Sequence, residues 1–589
     1  MKNIFRFIAV AFIALSFASC EKYLDSTNYW SKTAEDFPAN PEEAAQMLTG
    51  IYNNLNVSIG NNVHFNHFLW SLASSDDCLG GGGANDQAMQ AEDLLMNFGA
   101  DMYNGFYCDR YKGIARANAA LETFDRCGLD DATLNQYKGE ALFLRAWYYY
   151  ELASMFGNIP CPVSTAADAT QPQVSGEALW GQILQDCLEA SKIMPSTVSD
   201  RGNGHVDKYC AEALLGRVYL FYSGFYGAEN VTLPNGETLS KADVAAAIKD
   251  CVSNSGYELV SDYHNLWAYT NRICVEDELS LFKGNNYKYV CDDAGVNPEA
   301  MFVIKFNTQP SWGTTIGYSN QTCLFMGIRN SSNTDGGKSF PFGQGWGMCP
   351  VSPQLVADWQ KAEPNDPRMD ASLVSVSKFN GYKYGTDSNI QETGYYQIKN
   401  MPIMGRKSDG SGDFWYSYVN EMYPGLSWYN DDNNNFQLNL IDDMIMIRFA
   451  EVLLMDAELN NSQASFDAVR SRAGLDPKPL TEENLRNERR WELAFEGVRF
   501  GDLRRYGEEY AKKALDAQEG VHCYNNGIES TNHAKQFNGG YGERYAATKG
   551  FISIPSSQIS LSASAGEEYK YVQNEGWGTS ASDFAGWTE

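Results

Sequence analysis

Apolar residues recur at three- and four-residue intervals in two parts of the chain, and a long stretch between them lacks that rhythm. The first part runs from Pro41 to about Ser255. Its pattern predicts helices over 41–56, 110–126, 133–156, 175–194, 207–226 and 240–254, each rich in Ala, Leu and aromatics at helical spacing. Gly157, Pro160 and Pro162 stop the third, and Pro195 stops the fourth. The second part begins near Asp443. Ile447, Ala450, Leu453, Leu454 and Ala457 follow the i, i+3, i+4, i+7 pattern of a helix with one buried face, ended by Asn460 and Asn461. A second helix is expected from Gln463 to about Arg472, with Gly474 placed as a C-cap glycine. Thr481 opens a third, whose first turn holds Glu482 and Glu483, where carboxylates suit the helix dipole.

The intervening stretch, 256–440, is rich in Gly, Asn, Ser and aromatics. AMFVIKF (300–306) reads as a short strand. An irregular insertion of this length in a compact chain is unusual unless it has a function. It is expected to form loops and small strands on a helical scaffold and to supply one face of a binding surface. Leu215-Gly216-x-x-Tyr219 fits part of the tetratricopeptide consensus, whose period is roughly 34 residues. With the two helices near 447–472 the helical set is even, so it can stack as about four helix pairs. The expected fold class is mainly α: about four degenerate tetratricopeptide-like helix pairs carrying a large irregular loop and short-strand region. No low-complexity linker divides the chain, so residues 20–589 are expected to form one unit. Within it, 20–255 would be the N-terminal repeats, 256–440 the irregular region and 441–589 the C-terminal helices.

The third C-terminal helix carries an unusual charge pattern. Arg489, Glu492, Glu496, Arg499, Asp502 and Arg505 follow one another at spacings of three and four, so opposite charges would line one face of a straight helix. Gly497 is expected to break the helix and leave part of the ladder to close across a turn. Arginine, suited to fixed bidentate pairs, dominates over lysine, and Trp491, Leu493, Phe495, Val498 and Phe500 are interleaved with the charges. A partly buried, structural ion-pair network through Arg489, Glu492, Glu496, Arg499 and Asp502 is expected.

IRFAEVLLMDAE followed by NERRWELAFEGVRFGDLRRYG resembles the C-terminal signature of the SusD/RagB family. GEALFLRAWYYYELASMFGNIPCP also matches a segment of that family, in which a helix ends at Gly and Pro; Tyr148, Tyr149 and Tyr150 read there as packing residues. The resemblance implies a surface lipoprotein of Bacteroidetes that captures a nutrient for a partner SusC-like TonB-dependent transporter in the outer membrane. It also implies a scaffold of degenerate repeats and loop aromatics that contact glycan.

The N-terminus fits that implication. Lys2 and Arg6 precede an apolar run from Phe7 to Phe17, and Ala18 and Ser19 precede Cys20. This is a secretory signal, too short for a membrane span. A cysteine at that point indicates a lipoprotein signal over 1–19 and an acylated Cys20, although Phe17 stands where Leu is commoner. Glu21 and Asp25 resemble the acidic export signals of Bacteroidetes surface lipoproteins. Removing the signal takes the net charge from −29 to about −31. So acidic a chain is a poor ligand for nucleic acid or anionic lipid and is compatible with neutral substrates. The 13 cysteines form no CxxC or Cys/His zinc pattern, and most read as buried thiols.

Catalytic motifs are lacking: there is no HExxH, GxSxG, Walker loop or GxGxxG. His64 and His67 lie three apart without a nearby third ligand, so no metal site is assigned. Asp409 to Asp413 and Asp431 to Asn435 could supply oxygens to a structural Ca²⁺, but neither has EF-hand spacing. No cofactor is expected. Binding fits better. Sugars present C–H faces to flat aromatic rings and hydroxyls to Asp, Asn and Arg, which calls for aromatics on exposed rigid loops with polar neighbours. Residues 71–87 offer Asp76, Asp77, Asn85 and Asp86 around a glycine run expected to be flexible, and Tyr103 and Phe106 follow in a predicted loop. Trp312, Trp346, Trp415, Trp428 and Tyr429 lie in the irregular region. These are the candidate ligand-binding residues. The expected function is capture of an oligosaccharide without catalysis. Peptide binding on the same architecture, as RagB-like proteins would imply, is the alternative, and an unrecognised glycosidase is a weaker one.

Overall fold

The structure is a computed structural model, described for residues 36–60, 66–167, 171–197, 201–292, 295–307, 319–422, 435–578 and 582–587. Its scaffold is a series of antiparallel-stacked helices: α1 (Pro41–Gly60), a short α2 (His67–Ala73), α3 (Asn104–Thr123), α4 (Asp131–Phe156), α5 (Gly176–Ile193), α6 (Lys208–Tyr226), α7 (Lys241–Asn254), α8 (Phe449–Leu459) and α9 (Gln463–Arg472). Their ends are set locally. Asp130 accepts from the Thr133 N–H to cap α4, which stops at Gly157 with φ +69°. Ser240 and Asp243 form a capping box on α7. Helices α1 and α3, α4 and α5, α6 and α7, and α8 and α9 pack as four pairs, and α3–α4, α5–α6 and α7–α8 contacts join one pair to the next. Gly216 explains the repeat-like Leu-Gly pair: a Cβ there would stand 2.6 Å from Ile248 Cδ1 and 3.0 Å from Met455 Sδ. A bare Cα there lets the Ile248 and Met455 side chains of α7 and α8 pack directly against α6.

Two boundaries differ from the sequence-based expectation. Helix α3 begins at Asn104, not near 110, so Phe106 is helical and Tyr103 stands at the N-cap. Ile447 belongs to a strand, not to a helix. β1 (Ala300–Ile304) pairs antiparallel with β2 (Met444–Arg448), with bulges on either side of Ile447, and α8 starts only at Phe449. Met444-Ile-Met-Ile-Arg is long-chained and β-branched, and its pairing with β1 outweighs the helical spacing. Trp147 of α4 packs edge-on against Phe302 of β1, centroids 4.8 Å apart, tying the scaffold to the irregular region. That region has its own core around Tyr263, Trp267, Tyr269, Phe342 and Tyr418, and its strands pair only in twos.

The charged signature forms two helices, α10 (Glu482–Glu492) and α11 (Arg499–Arg505). Between them Phe495 and Gly497 take φ of +64° and +74°. The turn docks on α2: Ser71 Oγ donates to Gly497 O at 2.7 Å, and a Cβ on Gly497 would stand 2.9 Å from the Phe68 ring. The charges therefore do not form a ladder along one helix. Arg489 reaches across the turn to Asp502 (2.9 Å) and Arg499 reaches Asp76 (2.7 Å). Glu492 accepts from Arg368 (2.8 Å), Arg448 (2.6 Å) and Arg472. Glu496 accepts from Arg448 and Lys399, both at 2.7 Å. All five signature residues are at most 8 % exposed. Twelve cysteines fall within the described residues; none is paired, and nine are buried.

Candidate functional site

Asp76 and Asp77, expected to face ligand, point into the interior. Arg499 grips Asp76 with two bonds of 2.7 and 2.8 Å, and Arg490 reaches Asp77 at 2.8 Å and Asp76 at 3.0 Å. Burial works to raise the Asp76 carboxyl, and the two guanidiniums outweigh it and hold it below the usual carboxylate range. Both acids serve as counter-charges for buried arginines, which cannot be left unpaired.

The glycine run that follows is fixed, not flexible. Isolated bridges pair Cys78 with Val351, Gly81 with Met348 and Gly83 with Asn389. Gly81, at φ +67°, leaves no room for a side chain beside Pro350 and the Gly347 carbonyl. At Gly83 a side chain would collide with the Arg329 guanidinium. Arg329 uses that space to join three segments. Its Nη1 donates to Asp86 Oδ2 and to Trp346 O, both at 2.9 Å, and its Nε donates to Asp387 O at 3.0 Å. Asp86 Oδ2 also accepts from Gly83 N at 2.7 Å. Asn85 is exposed at the tip of this turn. Asp86 and Trp346, expected from distant segments, thus meet around an arginine that sequence reasoning missed, with Asn85 next to Asp86 on the exposed turn. Nothing beside Arg329 marks it, because its carboxylate partners, Asp86 and Asp387, lie 243 and 58 residues away.

Trp346 is half-buried, edge-on to Phe325 at 5.2 Å, and shares the Cys323–Leu324–Leu440 cluster with Phe436. Phe436 in turn contacts Tyr416 at 5.8 Å. Beside it, Trp415 donates from Nε1 to Glu421 Oε1 at 2.6 Å, and Lys407 Nζ stands 4.5 Å over its ring. A band of half-buried rings with polar neighbours results. Ser319–Gln321 is bonded to 437–442, through Asn320 N to Leu440 O (2.7 Å) and Gln321 Nε2 to Gln437 O (2.7 Å). Trp312, Trp428 and Tyr429 lie outside the described residues, as do Cys20 and His64.

Tyr103 and Phe106 do not belong to this face. Tyr103 is 2 % and Phe106 0 % exposed, with the Arg110 guanidinium 4.8 Å over the Phe106 ring. They are core residues because α3 starts early and turns them inward. His67 is buried against Ser154 Oγ at 3.1 Å, and burial lowers its pKa to about 3, so it stays neutral. Asp409 accepts from Ser411 N in an exposed turn. Among the described residues no three His, Cys, Asp or Glu side chains are placed to hold a metal, and no helix is long and apolar enough to cross a membrane.

Fold and face together define a tetratricopeptide-like helical scaffold carrying an irregular surface with aromatic and polar side chains. Residues 22–220 match the SusD-like family described as starch-binding and associating with the outer membrane, and residues 327–577 match the SusD family. The chain belongs to the SusD family. SusD-like protein P2 of Formosa agariphila is 24% identical over 469 residues, spanning 75% of this chain and 79% of its own. A solved laminarin-binding SusD-like protein superposes with a TM-score of 0.65 at 24% identity, covering 91% of this chain and 100% of its own. Surface glycan-binding protein A from Bacteroides fluxus superposes with a TM-score of 0.67 at 23% identity, covering 92% and 100%.

Proposed function

We propose that the protein binds a neutral oligosaccharide or polysaccharide on the face set by Arg329, Asp86, Asn85, Trp346 and Trp415, and hands it uncleaved to a SusC-like TonB-dependent transporter. A lipidated Cys20 would tether it to the outer face of the outer membrane. The observation that carries this reading is the Arg329 clamp, which fixes a polar turn and an aromatic residue in one rigid surface. Preorganised aromatic and polar groups are what a sugar, with its C–H faces and hydroxyls, requires. The relatives named above, one laminarin-binding and one a surface glycan-binding protein, support a glycan ligand. A net charge of −29 disfavours an acidic ligand and is compatible with a neutral one.

The adjacent acids singled out from the sequence, Asp76 and Asp77, support binding over cleavage. A glycosidase needs two acids facing each other across roughly 5–9.5 Å of open site, one of them protonated near neutrality. Asp93 is pushed up to about 7 by burial, but it is an interior residue that accepts from Gly80 N (3.1 Å) and the Tyr541 hydroxyl (3.0 Å). Asp76 and Asp77 are held by arginine. A surface site leaves much of the ligand solvated, so affinity is expected to be modest and only weakly salt-dependent. The test is calorimetry with neutral and acidic polysaccharides and with peptides, on the parent, Arg329→Ala and Trp346→Ala. Neutral glycans should bind the parent and bind both variants at least fivefold more weakly. Peptide binding without glycan binding would replace this reading with the peptide-capture alternative, and cleavage products would replace it with a glycosidase.

A further inference from the structure

A separate cavity of about 300 Å³ opens where four distant segments meet, and its wall includes Gln87, Gln90, Ile390, Asn525, Asn526 and Trp587. Among the described residues no charged side chain lines it, in a chain with 20% charged residues. Four carboxamides do; Gln90 spends its N–H groups on the glycine run and keeps its oxygen, while Gln87, Asn525 and Asn526 remain to meet a hydroxyl.

The cavity is built from fixed parts. Gln90 Nε2 donates to the Gly81 and Gly83 carbonyls, both at 3.1 Å, so the glycine run holds one wall. The hairpin His522–Asn525/Ile528–Thr531 is joined to the 389–392 segment through Glu392 and Tyr524, which exchange backbone bonds of 3.0 and 2.8 Å, and through Asn526 N to Asn389 O at 2.7 Å. The chain end is anchored by bonds of 2.8 Å between Phe584 N and Asn97 O and between Asn97 N and Ser582 O. Gly586, at φ +96°, passes so close to Gln87 that a Cβ would stand 2.9 Å from its Nε2. That turn delivers Trp587, whose ring rests edge-to-face on His533 (5.0 Å) and Phe537 (4.8 Å).

The half-buried Trp587 brings an aromatic ring to the wall, a flat surface on which the C–H face of a sugar can pack. The volume is at the lower end of small-molecule sites and admits roughly one or two pyranose rings. An aromatic ring and side-chain amides, with no charge among the described lining residues, suit an uncharged polyhydroxylated ligand better than a phosphate, a carboxylate or an amine.

We infer that this cavity is a second sugar subsite centred on Trp587, and that one oligosaccharide chain spans it and the Arg329 face. The two share the 84–87 turn: Asp86 on it binds Arg329, and Gln87 lines the cavity. This inference rests on the glycan reading of the Arg329 face.

The experiment uses the full mature chain and a ladder of neutral oligosaccharides of two to eight units. Indole-¹⁵N-labelled protein is titrated, with the Trp587 resonance assigned from Trp587→Phe, which keeps a ring on His533 and Phe537 and deletes the donor. Sugar should shift that resonance. Trp587→Ala should weaken the longest oligosaccharides about tenfold and leave the shortest that bind the Arg329 face unchanged, at a melting temperature matched by Trp587→Phe. If the parent binds oligosaccharides, but both Trp587 variants match it at every length and the resonance stays still, the second subsite is wrong and the primary face stands. If no neutral sugar binds the parent or moves the resonance, both readings fall.

Discussion

Replacing Glu492 by glutamine removes one negative charge from a site that three arginines share. Glu492 is 0 % exposed. One of its oxygens takes Arg448 and Arg472, and the other takes Arg368. Burial acts to raise its pKa, but Arg472, Arg448 and Arg368 outweigh burial and hold the group below the usual carboxylate range. A glutamine fills the same space, yet its amide must turn a donor toward at least one guanidinium, and the cluster keeps an unbalanced positive charge. Breaking a buried pair in this way costs about 3–5 kcal/mol. Unfolding entropy of about 2.1 cal/mol/K per residue gives about 1.2 kcal/mol/K for some 570 residues, so the loss is a fall of about 3–4 °C in Tm. The control is Glu482→Gln. Glu482 is 75% exposed and pairs with Arg486 one turn away, a surface pair of at most about 1 kcal/mol; its Tm should move by less than about 1 °C. The pH dependence adds a second check. A carboxyl whose folded pKa is depressed stabilises the fold above its unfolded value near 4.5 and loses that contribution as pH falls. The gap between parent and Glu492→Gln in a thermal melt should be full at pH 7, start to shrink below about pH 4.5 and close only as pH falls through the depressed folded value. Equal melting temperatures for the two variants at pH 7, or a gap that ignores pH, would refute the reasoning.

Asp93→Asn tests the opposite sign: the folded chain keeps the Asp93 proton up to about 7 through burial, whereas the unfolded chain releases it near 4, so stability falls as pH rises across that interval. The variant should flatten the Tm–pH curve between pH 4 and 7, and an unchanged slope would count against it. Gly83→Val places a side chain where the Arg329 guanidinium lies; calorimetry should show a loss of glycan affinity like that of Arg329→Ala, and parental affinity would separate the clamp from binding. Cys20→Ala should move the protein from the membrane fraction to the soluble fraction on cell fractionation, since stable anchoring of such a chain needs its acyl groups; full retention in the membrane would mean that lipid is not the anchor.

The helical scaffold was legible because its signals are local. Caps such as Asp130 and stops such as Gly157 act within one turn, and the apolar spacing of α4 to α7 needs no distant partner. Misreadings fell where distant contacts decide. Ile447 fits a helix by spacing, but β1, more than 140 residues away, makes it a strand residue. Asp76 and Asp77 beside four glycines look like an exposed polar loop; Arg490 and Arg499, 413 and 423 residues later, draw them inside. Arg329 drew no notice because its meaning lies in Gly83, Asp86 and Trp346, none of which is its neighbour in sequence.

These long-range contacts connect the signature to the site. The turn between α10 and α11 docks on α2 through Ser71. Arg490 and Arg499 then fix Asp76 and Asp77 immediately after α2. From there the chain runs through a segment held by isolated bridges at Cys78, Gly81 and Gly83 to the turn where Asp86 meets Arg329. The buried charges therefore stabilise the C-terminal helices and also set where the 84–87 turn stands, about ten residues beyond the clamped acids. Buried ion pairs are a poor source of stability compared with apolar packing of the same volume, and in some proteins they serve instead to specify one geometry against others. Here the geometry they specify ends at the proposed binding face. The dense arginine–carboxylate signature is explained by placement of that segment better than by stability alone, and a variant that replaced the Arg499–Asp76 pair with apolar residues should keep its melting temperature while losing glycan affinity in calorimetry. A variant that kept both would leave the signature with a packing role only.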